Sequence, residues 1–146
     1  MNISPTGGVQ GISWATETFV GKASEAISKG NVVQCLLTAL EPDDDQSVAK
    51  ASGDAFGIYA VALEDIASGE RGLCALRGKV EVLGGASVDA GDRIMPKNDG
   101  TMIEYSATGN NNVCCGICVD DMASGSLSTV LFNGWQMITD QDQTPD

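Results

Sequence analysis

Residues 64–69 read Glu-Asp-Ile-Ala-Ser-Gly, and residues 120–125 read Asp-Asp-Met-Ala-Ser-Gly. Each copy follows a segment that contains Gly-Ile. A shorter form of the phrase, an apolar residue, two further residues and then glycine, occurs in residues 27–30 and 88–91. Glycine reaches positive φ without a steric penalty, so each phrase predicts a tight turn that leads into a strand. The glycines with this structural role are Gly30, Gly69, Gly91 and Gly125.

Short apolar segments between these turns predict eight strands. No window of about eleven or more residues has a helical period, although short helical turns are expected at Leu63–Ala67 and Asp120–Ala123. Turn-and-strand units at irregular spacing favour a compact β-barrel or clip-like fold over a solenoid. The predicted fold class is all-β. The predicted strands are Asn31–Leu37, Ala55–Ala62, Leu73–Arg77, Val80–Leu83, Arg93–Pro96, Thr101–Tyr105, Val113–Val119 and Ser128–Phe132.

The chain of 146 residues fits one domain with a different kind of segment at each end. Residues 1–20 carry apolar side chains without any period, so we expect an extended N-terminal arm that docks on a partner or packs on its own domain. Residues 21–136 form the predicted β-barrel-like body, and residues 137–146 form a flexible acidic tail. The arm residues expected to make the contact are Ile3, Val9, Ile12, Trp14 and Phe19.

The charge balance excludes several kinds of partner. Eight basic residues stand against twenty acidic ones, which gives a net charge of −12. Such a surface repels phosphate backbones, so we expect no nucleic-acid partner. No segment has the apolar length of a membrane span, and the first residues lack the pattern of a signal peptide. The five cysteines are an odd number, which is typical of a chain folded in a reducing cytoplasm.

The residues that usually carry catalysis are scarce in this sequence. There is no histidine, and therefore no His-based triad. The paired carboxylates Glu64-Asp65 and Asp120-Asp121 precede turn glycines, which favours a turn-capping role over acid–base chemistry. We predict no enzyme activity and no cofactor.

Metal binding is not expected either. Cys115 and Cys118 form one C-x-x-C pair, but a structural zinc site needs four ligands and no second pair exists. Asp43-Asp44-Asp45 lacks the spacing of an EF-hand loop. All five cysteines are expected to be buried free thiols without metal.

Residues 55–96 carry a resemblance to a known family. The stretch Asp65–Gly72 (DIASGERG), the following Gly-Lys-Val at 78–80, and Val88–Ile94 (VDAGDRI) resemble motifs of DUF2190, a family of small phage proteins that includes capsid decoration, or cement, proteins. The resemblance covers residues 22–134. It departs at the longer, acidic loop Leu40–Ser52 and does not extend over the arm.

The resemblance implies a β-barrel or β-tulip-like domain on the outer capsid surface of a virion, assembled in the host cytoplasm. It implies the major capsid protein as partner and stabilisation of the icosahedral head against internal DNA pressure. It also implies self-association, as a homotrimer or alternatively a dimer. Two other hypotheses stay open: a carbohydrate- or ligand-binding module that stacks its ligand on Trp14 and Trp135, and an enzyme that acts through Asp or Cys.

Overall fold

The computed structural model describes residues 15–36, 46–51, 58–106 and 113–134, and in these ranges it contains strands and turns but no helix. The fold is all-β, as predicted, and the segments expected to form short helical turns instead form β-bridges and tight turns. The strands are β1 (Ala15–Ala23), β2 (Val32–Cys35), β3 (Gln46–Lys50), β4 (Tyr59–Ala62), β5 (Arg71–Leu83), β6 (Arg93–Pro96), β7 (Met102–Glu104), β8 (Gly116–Cys118) and β9 (Leu127–Asn133).

The first five strands close into a barrel. Strand β1 pairs in parallel with β3, and β3 pairs with β2, β2 with β4, and β4 with β5, all antiparallel. Strand β5 then returns to β1 through a long antiparallel ladder. The β-barrel prediction is confirmed, because the cycle of pairings has no free edge.

Strand β5 continues beyond this barrel into the second part of the same nine-stranded sheet. Its residues 77–83 pair with β9, which pairs with β8, and β8 leads through β6 to β7. A parallel bridge from Gly84 to Met102 brings β7 back beside the end of β5. The two strands predicted in this region are therefore one strand of 13 residues.

The chain consists of two structurally similar halves that share β5. The first half runs from β1 to residue 76, and the second half runs from residue 77 to Gly134. Each half has the same order of pairings, with one parallel contact in each. The bridge between Ile27 and Ile66 in the first half corresponds to the bridge between Val88 and Met122 in the second. The repeated sequence phrase is therefore the local sign of a structural duplication that extends over all nine strands.

The turn glycines have the same backbone conformation in both halves. Their φ angles are 90° at Gly30, 84° at Gly69, 93° at Gly91 and 82° at Gly125. These angles lie in the left-handed region that favours glycine, as the repeated phrase requires. The apolar residue three positions before each glycine is buried, which anchors the turn to the end of the barrel.

Two buried clusters form the core. One fills the first half and includes Ile27, Val48 and Ile66, with Phe19 packed against it. The larger cluster fills the second half and also takes in side chains of the first half, among them Val32, Val61 and Ala75. The two halves therefore share one continuous apolar interface.

Three sequence expectations need correction. Strand β1 begins at Ala15, so the arm prediction is wrong for residues 15–20, and Phe19 contacts the barrel core rather than a free surface. Strand β3 was not predicted, because its alternation is short and polar. Within Val113–Val119 only Gly116–Cys118 forms a strand. The predicted arm residues Ile3, Val9, Ile12 and Trp14, the run Asp43-Asp44-Asp45 and the tail lie outside the described residues.

Candidate interaction surface

A row of four side-chain positions crosses the outer face of the second half. Arg93 of β6 pairs with Ile117 of β8, Ile117 pairs with Leu131 of β9, and Leu131 pairs with Lys79 of β5. Residues that are register partners share one face of a sheet. The row therefore places two apolar side chains side by side between two basic ones. We call these four residues the outer row.

Strand alternation explains why the apolar members face outward. In β9 the side chains of Val130 and Phe132 enter the core, so Leu131 between them must point away from it. In β8, Gly116 and Cys118 are buried and Ile117 faces outward. Leu131 is 52% exposed and Ile117 is 43% exposed.

Most of the large exposed apolar side chains of the described ranges lie on the outer face of the second half. Of the five large apolar side chains exposed in the described ranges, Ile117, Val119, Leu127 and Leu131 lie on this face, and the fifth is Val20 on β1. A clustered apolar surface of this kind marks an interaction site more often than scattered single residues do. Beside the row lies an open groove of ≈ 270 Å³, lined by Arg93, Cys114, Gly116, Ile117, Leu131, Phe132 and Asn133.

The first half has a counterpart of this row, and that counterpart is covered. Val32 pairs with Val61, Val61 with Ala75, and Ala75 with Thr18. Val32 follows Gly30-Asn31 as Arg93 follows Gly91-Asp92. The first three residues of this covered row are fully buried in the cluster shared with the second half. Equivalent faces thus differ in environment: one is an internal interface and the other is open to solvent.

The carboxylates of the repeated phrase serve the turns. Asp65 accepts a hydrogen bond from the Lys29 backbone N–H at 2.8 Å, and Asp121 accepts the corresponding bond from Ala90 at 2.9 Å. Glu64 also accepts the backbone N–H of Leu73, at 2.7 Å. These bonds tie the two turns at each barrel end together, which is the structural role that the sequence predicted for them.

The cysteines are buried apolar side chains. All five lie in the described ranges, and none forms a disulfide bond. Burial raises the pKa of Cys35 to about 11 and that of Cys74 to about 12, and it also raises the pKa of Cys115 and Cys118. A thiol that stays protonated is a poor nucleophile and a poor metal ligand. Across the described ranges, no group of three or more Cys, Asp or Glu side chains is arranged to hold a metal ion.

The residues chosen from sequence do not form one site. Gly30, Gly69, Gly91 and Gly125 lie in the turns rather than on the outer row, and Phe19 belongs to the barrel wall. Sequence reasoning missed the row, although the consecutive apolar residues Val130-Leu131-Phe132 carry its signal. Three apolar neighbours in one strand cannot all enter the same core, because successive side chains point to opposite faces.

The comparisons with known proteins identify the family. The family model described as phage cement protein matches residues 14–133. The chain belongs to the phage cement protein family. No curated protein sequence matches this cement-family chain.

A solved structure shares the fold. The head fiber gp8.5 N base of bacteriophage phi29 superposes with a TM-score of 0.61 at 18% identity, over 83% of this chain and 97% of that one. At this identity the likeness concerns the fold alone. Membership of the family makes the cement-family chain a structural component of a phage virion, associated with the capsid. Among the described residues, no helix is long and apolar enough to cross a membrane.

Proposed function

We propose that this cement-family chain binds the outer surface of an icosahedral phage head through the major capsid protein and stabilises the head against internal DNA pressure. The observation that carries the proposal is the family match over residues 14–133. The exposed apolar face of the second half supports a role in protein contacts. The turn-bound carboxylates and protonated thiols support a structural rather than a catalytic role.

The segment ahead of β1 is the proposed contact with the shell. Ile3, Val9, Ile12 and Trp14 are apolar anchors in an otherwise polar, glycine-rich sequence. Apolar side chains in the sequence ahead of β1 would add interface area to that of the barrel when they bind the shell. Phe19, the fifth arm residue predicted from sequence, is partly buried and packs against the barrel core, so it is not among the proposed anchors.

The proposed assembly is a homotrimer. Three copies around a threefold axis present identical contacts to three neighbouring capsomers, which matches the local symmetry of an icosahedral shell. The acidic surface, with a net charge of −12, also opposes non-specific self-association, so a defined contact has to hold the copies together.

The test uses phage heads purified from a mutant that lacks this protein. We expect the purified protein to co-sediment with those heads at a saturable stoichiometry and to raise the temperature at which DNA-filled heads burst. Bovine serum albumin at equal concentration serves as the control for trapping. Failure to co-sediment with the heads, or binding without any rise in bursting temperature, would overturn the proposal or its stabilising part respectively.

A further inference from the structure

The contact between the two halves has a definite geometry. The Leu83 backbone N–H at the end of β5 donates to the Gly30 carbonyl at 2.8 Å, and the Val32 N–H donates to the Gly100 carbonyl at 2.7 Å. Lys29 forms an ion pair with Glu81 at 3.7 Å across the same contact. The second half thereby covers the row Val32–Val61–Ala75 of the first half.

Because the two halves have the same pairings, each of these positions has a structural counterpart in the other half. Glu81 lies three residues before Gly84, whose N–H bonds the Ser126 carbonyl, and Val20 lies three residues before Ala23, whose N–H bonds the Glu70 carbonyl. Val20 is therefore the counterpart of Glu81. Lys29 and Ala90 are counterparts because their backbone N–H groups bond Asp65 and Asp121 in the same way.

We propose that the first half of a second copy of this chain covers the outer row, repeating between chains the relation that the second half has to the first within one chain. Within one chain, Glu81 of the second half contacts Lys29 of the first half. In the proposed contact between chains, their counterparts Val20 and Ala90 contact each other. Both Val20 and Ala90 are exposed in the single chain.

The proposal accounts for the distribution of exposed apolar side chains. Ile117, Val119 and Leu131 lie on the part of the face that the next copy covers, and Val20 lies on the complementary surface of the covering half. Four of the five large exposed apolar side chains of the described ranges thus fall on the two sides of one contact, and the fifth, Leu127, lies against Gly30 of its own chain.

Charge opposes a twofold arrangement through the same face. Both ends of the outer row are basic, Arg93 at one end and Lys79 at the other. A twofold axis along the row or across it would place basic groups against basic groups, which is unfavourable. The first half, residues 15–76, contains ten acidic and four basic side chains, so a head-to-tail contact brings the basic row ends toward an acidic half.

A head-to-tail contact closes as a ring or extends as a filament. A ring of identical chains satisfies every outer row and leaves no exposed apolar end. The proposed contact is argued from the geometry of the two halves. The number of copies in the ring, three, rests on the proposed homotrimer.

The first experiment places a charge on each side of the contact. Leu131→Glu alters the outer row, Val20→Glu alters the complementary surface, and Ser68→Glu adds the same charge at an exposed turn as the control. We expect light scattering to give the mass of an oligomer for the wild type and for the control. For the two test variants we expect self-association to be about tenfold or more weaker. Circular dichroism melts check that all the proteins fold. A wild type that is monomeric at every concentration overturns the proposal.

Mixing the two test variants separates head-to-tail contact from other geometries. Each variant keeps one intact side, so an equimolar mixture forms one good contact and yields a species of twice the monomer mass that cannot close. A face-to-face dimer predicts that Val20→Glu assembles normally and that mixing restores nothing, and either result overturns the inference. Binding of the same variants to heads is measured separately, so that loss of assembly is distinguished from failure of the proposed head-binding function.

Discussion

Two glycines with the same backbone conformation have different surroundings. Gly30 and Gly91 are counterparts, with φ of 90° and 93°. A Cβ at Gly30 would overlap the Leu127 side chain and lie 3.1 Å from the Leu83 nitrogen, whereas a Cβ at Gly91 would meet nothing within 4 Å. The comparison separates backbone strain from steric overlap, because the backbone strain is the same at both sites and only the steric overlap differs.

We therefore predict that Gly30→Ala is more destabilising than Gly91→Ala. Gly91→Ala is expected to lower the free energy of unfolding by about 1–2 kcal/mol, the cost of a left-handed conformation for an L side chain. Gly30→Ala adds the cost of overpacking against Leu127, of about 1–3 kcal/mol. Urea unfolding of the two variants measures the difference, and equal losses would show that Leu127 moves aside freely.

The buried thiols give stability a specific dependence on alkaline pH. The pKa of Cys74 is raised from 9.0 to about 12, first by burial and then by the nearby Cys35. Above pH 9 the unfolded chain loses this proton while the folded chain keeps it. Stability from this group is therefore constant below pH 9 and falls as pH rises toward the folded pKa.

We predict that the free energy of unfolding falls between pH 9 and pH 10.5 more steeply in the wild type than in Cys74→Ala. The expected contribution of one buried thiol approaches about 1.4 kcal/mol per pH unit. Guanidinium unfolding at a series of pH values measures both slopes, and the variant is the reference for the wild type because the two proteins differ only at this thiol. Parallel curves would mean that Cys74 ionises in the folded state.

At the scale of the strand, β5 shows how tertiary pairing overrides a local signal. Gly78, with φ of 130°, lies in its middle and was expected to separate two strands. Yet Gly78 pairs with Ala15 of β1 on one side and with Phe132 of β9 on the other. The ladder to β1 gives way to the ladder to β9 without a gap, so the strand stays continuous.

Strand β1 carries the clearest prediction at this scale. Deleting residues 2–13 leaves β1 complete, so we expect a folded protein whose melting temperature is within a few degrees of the wild type. Deleting residues 2–20 removes most of the strand that closes the first barrel against β5, so we expect an unfolded protein. Circular dichroism and thermal melts distinguish the two.

Head binding of the shorter deletion tests the proposed role of the arm. We expect the protein without residues 2–13 to keep its fold and lose co-sedimentation with heads. If it binds as well as the full chain, then the barrel rather than Ile3, Val9, Ile12 and Trp14 makes the contact.

Much of the fold followed from local sequence, whereas the surface did not. Strand β6 was predicted to the residue, and the turn glycines had the required conformations, because both depend on neighbours in sequence. Strand β1 was missed because its pairing partner, β5, lies far away along the chain. The outer row was missed because Ile117 and Leu131 read like core residues, and only the topology shows which face of each strand has a partner.

At the scale of the whole molecule, the shared core couples the two halves. Val61 and Ala75 of the first half belong to the same buried cluster as Val130 of the second. A cluster that spans both halves makes separate unfolding unfavourable, because either half alone would expose its part of the interface.

We predict that Val130→Ala, a change in the second half, lowers the hydrogen-exchange protection of both halves by the same amount. The expected loss is about 2 kcal/mol, from two buried methyl groups and the cavity they leave. Exposed Ser68→Ala is the control and should change protection by less than about 0.5 kcal/mol. Loss of protection confined to β6–β9 would mean that the halves open independently.

The shared strand also bears on how a chain of this design can grow. Strand β5 is the last strand of one half and the first of the next, so a further unit requires four new strands rather than five. The counterpart of Asn133 at the end of β9 is Arg77, after which β5 runs on for the length of its second ladder. Grafting a copy of residues 78–134 after Asn133 would thus extend the array by one unit. Repeating the graft would lengthen the protein by four strands each time.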